Sequence, residues 1–261
     1  MSNLAVDHVT VNYPTRRGSV TALDDVSIEV KEGQFVSIVG ASGCGKSTLL
    51  NVVGGLVLPT EGDVLLDGEP IEGPGADRGM VFQSYTLYPW LTVRKNVEFG
   101  LSMRGFRRGE RHRIADELLA QMRLQGFEDV YPKALSGGMK QRVAIARALA
   151  NEPRVLLMDE PFGALDAQTR TVMQELLLDI WERLRTTILF VTHDIDEAVF
   201  LSEVVYVLTS RPGRVRERLE IDLPRPRTID VMAAPAFTEY KREILSIIHQ
   251  ESLREAGLAA R

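Results

Sequence analysis

An apolar run that leads directly into a glycine-rich loop constrains the fold of this chain more than any other feature of its sequence. Residues 35–39 (Phe-Val-Ser-Ile-Val) have the character of a buried parallel strand. The loop Gly40-Ala41-Ser42-Gly43-Cys44-Gly45-Lys46-Ser47 follows at once, and a helix is predicted over residues 47–53. Glycines allow backbone N–H groups to approach an anion closely, and a helix N-terminus adds a positive partial charge. The sequence therefore predicts an α/β fold with a phosphate-binding loop at the end of a strand.

This loop has the Walker A pattern, in the strand–loop–helix context that the pattern requires. The ammonium group of Lys46 is expected to interact with the β- and γ-phosphates, and the hydroxyl group of Ser47 to bind Mg²⁺. We therefore predict ATP and Mg²⁺ as cofactors. The predicted nucleotide-binding residues of this segment are Gly40, Ser42, Gly43, Cys44, Gly45, Lys46, Ser47 and Thr48.

The bulk properties of the chain argue against several other classes of protein. Its 261 residues fit one large α/β domain, or a core domain with a smaller insertion. A formal net charge of -5 disfavours a protein that grips nucleic acid, which needs a basic surface. A lone cysteine, Cys44, cannot form an intramolecular disulfide. Neither a signal peptide nor a membrane-spanning apolar run is expected from the sequence.

A second apolar run ends in two acidic residues. Residues 155–158 (Val-Leu-Leu-Met) are predicted to form a buried strand, and Asp159 and Glu160 follow it in the Walker B arrangement. Asp159 is expected to hold Mg²⁺, and Glu160 to act as the general base on the attacking water. Such an ending is weak evidence by itself, because many strands end in acidic residues. Its pairing with a Walker A loop makes the prediction strong.

A third motif, Leu135-Ser136-Gly137-Gly138-Met139-Lys140-Gln141-Arg142, opens a predicted helix over residues 137–150. Its N–H groups and the Ser136 hydroxyl would form a second phosphate-binding helix terminus. Taken alone, Ser-Gly-Gly is more often a flexible loop. The motif resembles the LSGGQ signature of the ABC family, with Met139 in place of the commonest residue, Gln. This resemblance implies that Ser136, Gly137 and Gly138 cover the ATP that a second subunit holds.

Four further residues match family motifs in the family's order. Gln83 follows an apparent strand and resembles the Q-loop glutamine, which implies contact with Mg²⁺ and water. Asp166 lies in a D-loop-like Ala-Leu-Asp, and His193 resembles the switch histidine that touches the γ-phosphate. Tyr13 resembles the aromatic residue that stacks on adenine, although an early tyrosine can also simply pack a strand.

The whole order of motifs resembles that of ABC transporter ATPase subunits, in particular the importer branch for nitrate, taurine and other sulfonates. Residues 71–79, 161–166 and 210–214 carry the likeness to this branch. It implies an α/β P-loop NTPase core with an N-terminal antiparallel β subdomain and an inserted helical subdomain. We expect core segments at residues 1–86 and 153–210, the helical subdomain at 87–152 and a C-terminal extension at 211–261 that contains an amphipathic helix.

The resemblance also implies partners and a location. Two such subunits would close on two ATP molecules as a homodimer and drive two transmembrane permease subunits. A solute-binding protein outside the membrane would deliver the solute, for which the resemblance implies a small anion such as nitrate, taurine or another sulfonate. The chain would then act on the cytoplasmic face of the inner membrane, as a peripheral subunit that binds no nucleic acid.

Several alternatives stay open at this level. A soluble ABC-type ATPase without a permease is the main rival function, and an ATPase of an exporter is another. The stretch Tyr85, Tyr88, Pro89 and Trp90 is equally consistent with a permease-binding groove and with packing of the helical insertion. The basic residues between Arg104 and Arg113 are expected to be a solvated helix face, with lipid headgroups as a less favoured partner. Cys44 is interpreted as a small filler residue, against a role in sensitivity to thiol reagents.

Overall fold

A computed structural model gives the structure of the chain over residues 3–15 and 18–255. These residues group into two units, the first within Met1–Gly75 and Arg185–Arg261 and the second within Ala76–Leu184. The first unit contains the glycine-rich loop and His193, whereas the second contains Gln83, the signature-like motif and the Walker B acids. The domain boundaries expected at residues 86, 152 and 210 stay a prediction.

The first unit opens with an antiparallel sheet of the expected kind. It consists of the strands β1 (Leu4–Thr15), β2 (Gly18–Val30), β4 (Glu61–Leu66) and β5 (Glu69–Pro70), in the order β2-β1-β4-β5. Val26, Ile28 and Val30 alternate with exposed residues along β2 and are buried, as their spacing in the sequence predicts. The turn at Asp67 and Gly68 after β4 is also where the Asp-Gly pair places it.

The same unit carries a second, mostly parallel group of strands. Strand β3 (Phe35–Val39) pairs in parallel with β8 (Thr187–Val191) on one side and with β9 (Val204–Leu208) on the other. All three strands are buried along their whole length, which explains their continuous apolar sequences. Helices α1 (Lys46–Val53) and α6 (Ile195–Leu201) follow β3 and β8 directly.

The last strand of the first unit does not follow from an apolar run in the sequence. β10 (Val215–Glu220) pairs antiparallel with β9. Its sequence, Val-Arg-Glu-Arg-Leu-Glu, buries only Leu219 and exposes four charged residues. A strand at the edge of a sheet tolerates such charges, and they discourage pairing with other chains. Because its charged residues interrupt any apolar run, the sequence does not predict this strand.

The second unit combines two strands with four helices. Strands β6 (Arg78–Val81) and β7 (Val155–Asp159) pair in parallel. The helices are α2 (Val93–Met103), α3 (Arg108–Gln121), α4 (Gly137–Leu149) and α5 (Ala167–Leu184). Helix α3 ends at Gln121, and the chain turns shortly after it at Arg123, whose φ is +54°. The predicted change to mainly helical structure after Leu87 is confirmed.

The C-terminal segment is fastened to α6 by a buried arginine. The last helix, α7 (Pro235–Glu255), packs against α6, and only 5% of the Arg227 surface is exposed. The guanidinium group of Arg227 donates to the carbonyl oxygens of Val199, Phe200 and Ser202 at distances of 2.8–3.0 Å. These carbonyls lie at the C-terminal end of α6, where a positive charge is favourable.

No helix in the described ranges, 3–15 and 18–255, is long and apolar enough to span a membrane.

Replacing Arg227 with Met tests this attachment. The variant retains the length of the side chain but leaves buried carbonyl groups of α6 without a donor, so we expect a loss of about 3 kcal/mol in unfolding free energy. Denaturant unfolding followed by circular dichroism measures the loss. Arg242→Met, at an exposed position of α7, is the matched control and should change stability by less than about 0.5 kcal/mol. Equal stability of Arg227→Met and the original chain would contradict this account.

Candidate functional site

The glycine-rich loop turns sharply into the first residue of α1. Gly45 caps this helix with a φ of +103°, which L-residues with side chains rarely adopt. A Cβ atom at Gly45 would lie 2.6 Å from Cδ2 of Leu23 and 2.8 Å from the carbonyl oxygen of Ala22. Only glycine therefore fits between β2 and the start of α1, and this contact fixes where the helix N-terminus points.

The ammonium group of Lys46 is held inside the loop. Its Nζ donates to the carbonyl oxygens of Gly40 (2.8 Å) and Ala41 (3.0 Å), and the residue is buried. Ser47 and Thr48 follow in the first turn of α1 and are exposed and half-buried, respectively. The structure thus brings a charged amine, hydroxyl groups and a helix N-terminus together, which are the groups that a triphosphate requires.

Cys44 fills space beneath this loop. Its side chain is 1% exposed, and Sγ lies 3.9 Å from Nζ of Lys46. Burial raises the pKa of the Cys44 thiol, and the nearby positive charge of Lys46 only partly opposes this. These facts favour the interpretation of Cys44 as a small packing residue.

The predicted switch residue His193 is exposed in the connection from β8 to α6. Next to it, Oδ1 of Asp194 accepts from the backbone N–H groups of Asp196 (2.9 Å) and Glu197 (3.2 Å) and so caps α6. The Glu197 carboxylate accepts from the Thr192 hydroxyl at 2.7 Å.

A cleft beside His193 is lined by residues of α6 and α7. Lys241 of α7 forms an ion pair with Asp196 at 2.7 Å, and together with His193 these residues line an open cleft of about 310 Å³.

Tyr13, the predicted adenine-stacking residue, lies on β1 opposite Val20 and is 38% exposed. A ring with that exposure is accessible to a ligand.

In the second unit, Asp159 is the last residue of β7 and Glu160 follows in a strained conformation. The φ of Glu160 is +42°, a value that costs free energy in a residue with a side chain. Nε2 of Gln83 lies 3.4 Å from Oε2 of Glu160. The structure therefore brings the predicted Q-loop amide and the predicted general base together.

The signature-like motif forms a helix N-terminus, as predicted. Oγ of Ser136 accepts from the backbone N–H of Met139 at 3.3 Å and caps α4. A Cβ atom at Gly138 would lie 2.7 Å from Cγ2 of Thr169, so α4 and α5 approach too closely for a larger residue. Because Met139 contributes a backbone N–H to this cap, its departure from the family's commonest residue leaves the cap intact.

Asp166 has a structural role that can be read from its hydrogen bonds. Its carboxylate accepts from the backbone N–H of Thr169 (2.9 Å) and from the Thr169 hydroxyl (2.7 Å), and so caps the start of α5. These hydrogen bonds lower the pKa of the Asp166 carboxyl group. Its predicted contribution to nucleotide binding stays a prediction.

The aromatic stretch after Gln83 divides between the two interpretations. Tyr88 packs against Phe99, with 4.5 Å between ring centroids, and under the guanidinium group of Arg147 at 5.4 Å. Trp90 also touches Tyr88, but 70% of its surface is exposed. Tyr88 therefore belongs to the packing of the second unit, whereas Trp90 is available to a partner.

The basic cluster after Arg104 is only partly a solvated surface, which corrects the sequence-based expectation. The carboxylate of buried Glu98 forms an ion pair with Nε of Arg111, at 3.4 Å, and is in contact with Nδ1 of His112. A burial of this kind requires compensating positive charge. Arg111 and His112 of α3 thus stabilise the packing of α3 against α2. They lie beside an open cleft of about 510 Å³.

One residue at the phosphate loop is not predicted by the sequence. Nε of Arg211 donates to the carbonyl oxygen of Gly43 at 2.9 Å, across 168 positions of sequence. Arg211 lies in the segment 210–214, which the sequence marked only as a likeness to the importer branch. No local pattern places such a residue at the loop.

Among the described residues, no three or more His, Cys, Asp or Glu side chains are grouped so that they could hold a metal ion by themselves. The predicted ligands Ser47, Gln83 and Asp159 offer hydroxyl, amide and carboxylate oxygens. Oxygen donors of this kind, completed by phosphate oxygens, suit Mg²⁺, which is usually bound through one or two carboxylates and the substrate.

Comparisons with known proteins agree with these motifs. Residues 23–163 match the family described as ABC transporter. The chain is 52% identical over 251 residues to the nitrate import ATP-binding protein NrtD of Synechocystis, covering 94% of each chain. It is 50% identical over 261 residues to the taurine import ATP-binding protein TauB of Rhizobium johnstonii, covering 97% of this chain and 100% of the relative.

A solved structure is similar as well. The dimeric structure of a post-hydrolysis state of an ATP-binding cassette bound to ADP and Pi has a TM-score of 0.74 and 37% identity. The match covers 85% of this chain and 100% of the other.

The state of Cys44 leads to a prediction about its reactivity. Because burial raises the thiol pKa and blocks access, alkylation by iodoacetamide at pH 8 should be at least about tenfold slower than that of a free cysteine. Mass spectrometry of the labelled protein measures the rate, and the chain unfolded in urea should react at the rate of the free thiol. Equally fast labelling of folded and unfolded protein would show that Cys44 is accessible.

Proposed function

The chain belongs to the ABC transporter family, and we propose that it hydrolyses ATP to drive the import of a small anionic solute. The observation that carries the ATPase proposal is the phosphate loop, in which Lys46 is held at the N-terminus of α1. The importer proposal is supported by the similarity to nitrate and taurine import subunits along almost the whole chain.

ATP binds with its phosphates on the loop of residues 40–47. In this proposal, Lys46 exchanges its bonds to the Gly40 and Ala41 carbonyls for bonds to the β- and γ-phosphates. The backbone N–H groups of the loop and the start of α1 contribute the remaining donors. The exposed face of Tyr13 supplies a stacking surface for adenine.

In this proposal Ser47, Gln83 and Asp159 would hold Mg²⁺ through their oxygen atoms, and the ion would supply positive charge to balance that of the phosphates. Glu160 orients the attacking water and accepts its proton. The amide of Gln83 helps to hold that carboxylate, since the two groups lie 3.4 Å apart. His193 contacts the γ-phosphate from the end of β8.

Two copies of the chain bind two ATP molecules in this proposal. The capped N-terminus of α4, with Ser136, Gly137 and Gly138, covers the nucleotide of the partner subunit. The similar cassette with ADP and Pi is dimeric, which supports this arrangement. ATP is then a ligand that favours the closed pair, and its hydrolysis releases that pair.

The remaining partners are two transmembrane permease subunits and a solute-binding protein on the far side of the membrane. The chain would lie on the cytoplasmic face of the inner membrane. The exposed ring of Trp90, next to the packed ring of Tyr88, is the part of the second unit that we assign to the permease. The solute class, nitrate, taurine or another sulfonate, follows the names of the relatives.

Replacing Glu160 with Gln tests the assignment of the general base. The amide cannot accept the proton of the water, so turnover of Mg-ATP should fall by about 100-fold or more, whereas ATP affinity should stay within about threefold. Phosphate release and equilibrium nucleotide binding measure the two quantities. Glu175→Gln, at an exposed position of α5, is the control and should hydrolyse ATP at the original rate. Normal turnover in Glu160→Gln would refute the assignment.

A further inference from the structure

The segment after β9, residues 210–214, lies against the phosphate loop, and we call it the brace loop. We propose that Arg211 of the brace loop is a positioning residue for nucleotide phosphates, because it fixes the direction of a backbone N–H group and adds positive charge beside the loop. This inference rests on the proposed binding of ATP by residues 40–47.

The brace loop is anchored firmly to β2. The backbone N–H of Gly213 donates to the carbonyl oxygen of Ala22 (3.0 Å), and the N–H of Asp24 donates to the carbonyl oxygen of Gly213 (2.9 Å). Nε of Arg214 donates to Oδ2 of Asp24 at 3.1 Å. Arg214 and the backbone of Gly213 therefore explain how the loop is held, without any contribution from Arg211.

From this anchor the brace loop touches the phosphate loop directly. A Cβ atom at Gly213 would lie 2.1 Å from the carbonyl oxygen of Cys44, so only glycine permits the approach. A Cβ atom at Gly43 would lie 2.7 Å from the terminal guanidinium nitrogen of Arg211. The guanidinium group thus lies directly over Gly43, and its Nε donates to the Gly43 carbonyl oxygen at 2.9 Å.

This hydrogen bond has a consequence for the next N–H group. In a planar trans peptide, the C=O of Gly43 and the N–H of Cys44 point in opposite directions. Holding the carbonyl toward Arg211 on one side therefore directs the Cys44 N–H to the other side, where it donates to the carbonyl oxygen of Ala41 at 3.3 Å. The bonds to Arg211 and to Ala41 together hold the orientation of the peptide that joins Gly43 and Cys44. A fixed direction reduces the reorganisation that the loop must undergo when a phosphate binds.

The charge of Arg211 is also available to an anion. Arg214 is paired with Asp24, but no carboxylate forms a salt bridge with Arg211 in the described parts of the chain, 3–15 and 18–255. Arg211 is exposed, so its attraction for the polyphosphate is expected to weaken as salt is added. Two substitutions therefore test the contribution of this charge, one that removes it and one that retains it.

The test uses Arg211→Gln, which removes the charge, and Arg211→Lys, which retains it. For Arg211→Gln we expect the Kd values of Mg-ATP and of ADP to rise by about tenfold, while kcat at saturating ATP stays within about twofold. Arg211→Lys should lose less affinity and retain the original dependence of Kd on salt concentration, which Arg211→Gln should lower. Titration calorimetry at several salt concentrations and steady-state kinetics give these quantities.

Arg214→Gln is the matched control, since it removes a positive charge from the same loop without a contact to Gly43. It should lower the melting temperature but leave the nucleotide Kd within about twofold. The inference is overturned if Arg211→Gln binds Mg-ATP as the original chain does, or if Arg214→Gln weakens binding as much and with the same change in salt dependence. The original chain is the positive control for binding, and Lys46→Ala is the negative control. If the original chain itself does not bind Mg-ATP, the proposed function is overturned.

Discussion

The abrupt change from β3 to α1 is the constraint on which the rest of this structure depends. The turn must leave a buried strand, expose backbone N–H groups and begin a helix within a few residues. Gly45 makes this possible because its Cβ position is occupied by Leu23 and Ala22 of β2. The sheet that contains β1 and β2 is therefore part of what shapes the loop. Lys46 occupies the helix terminus, where its charge is bound by two loop carbonyls.

The first unit can be understood as a support for two exposed chemical groups. Strands β3, β8 and β9 are buried throughout, so they hold the loop and His193 at the ends of rigid elements. Helix α6, which follows His193, is capped by Asp194 at its start and by Arg227 at its end. Asp159, Glu160 and Ser136 of the second unit likewise follow a buried strand or begin a helix.

Much of this was predictable from sequence, because the relevant signals are local. A buried strand before Gly40, a capping Ser136 and a capping Asp166 all depend on residues within a few positions of each other. Strand β10 was missed because edge strands can be charged, and the ion pairs of Glu98 were missed because they join two helices. The contacts of Arg211 with Gly43 and of Arg227 with α6 depend on tertiary structure alone.

The most direct test of the account is the mass of the Glu160→Gln variant in solution. The account requires that one copy holds ATP on its Lys46 loop while the α4 terminus of a second copy covers it. Sedimentation velocity with saturating Mg-ATP should therefore show a dimer, and with ADP or without nucleotide a monomer. A sample that binds one Mg-ATP per chain and yet remains monomeric at high concentration, alone and with its permease, would contradict it.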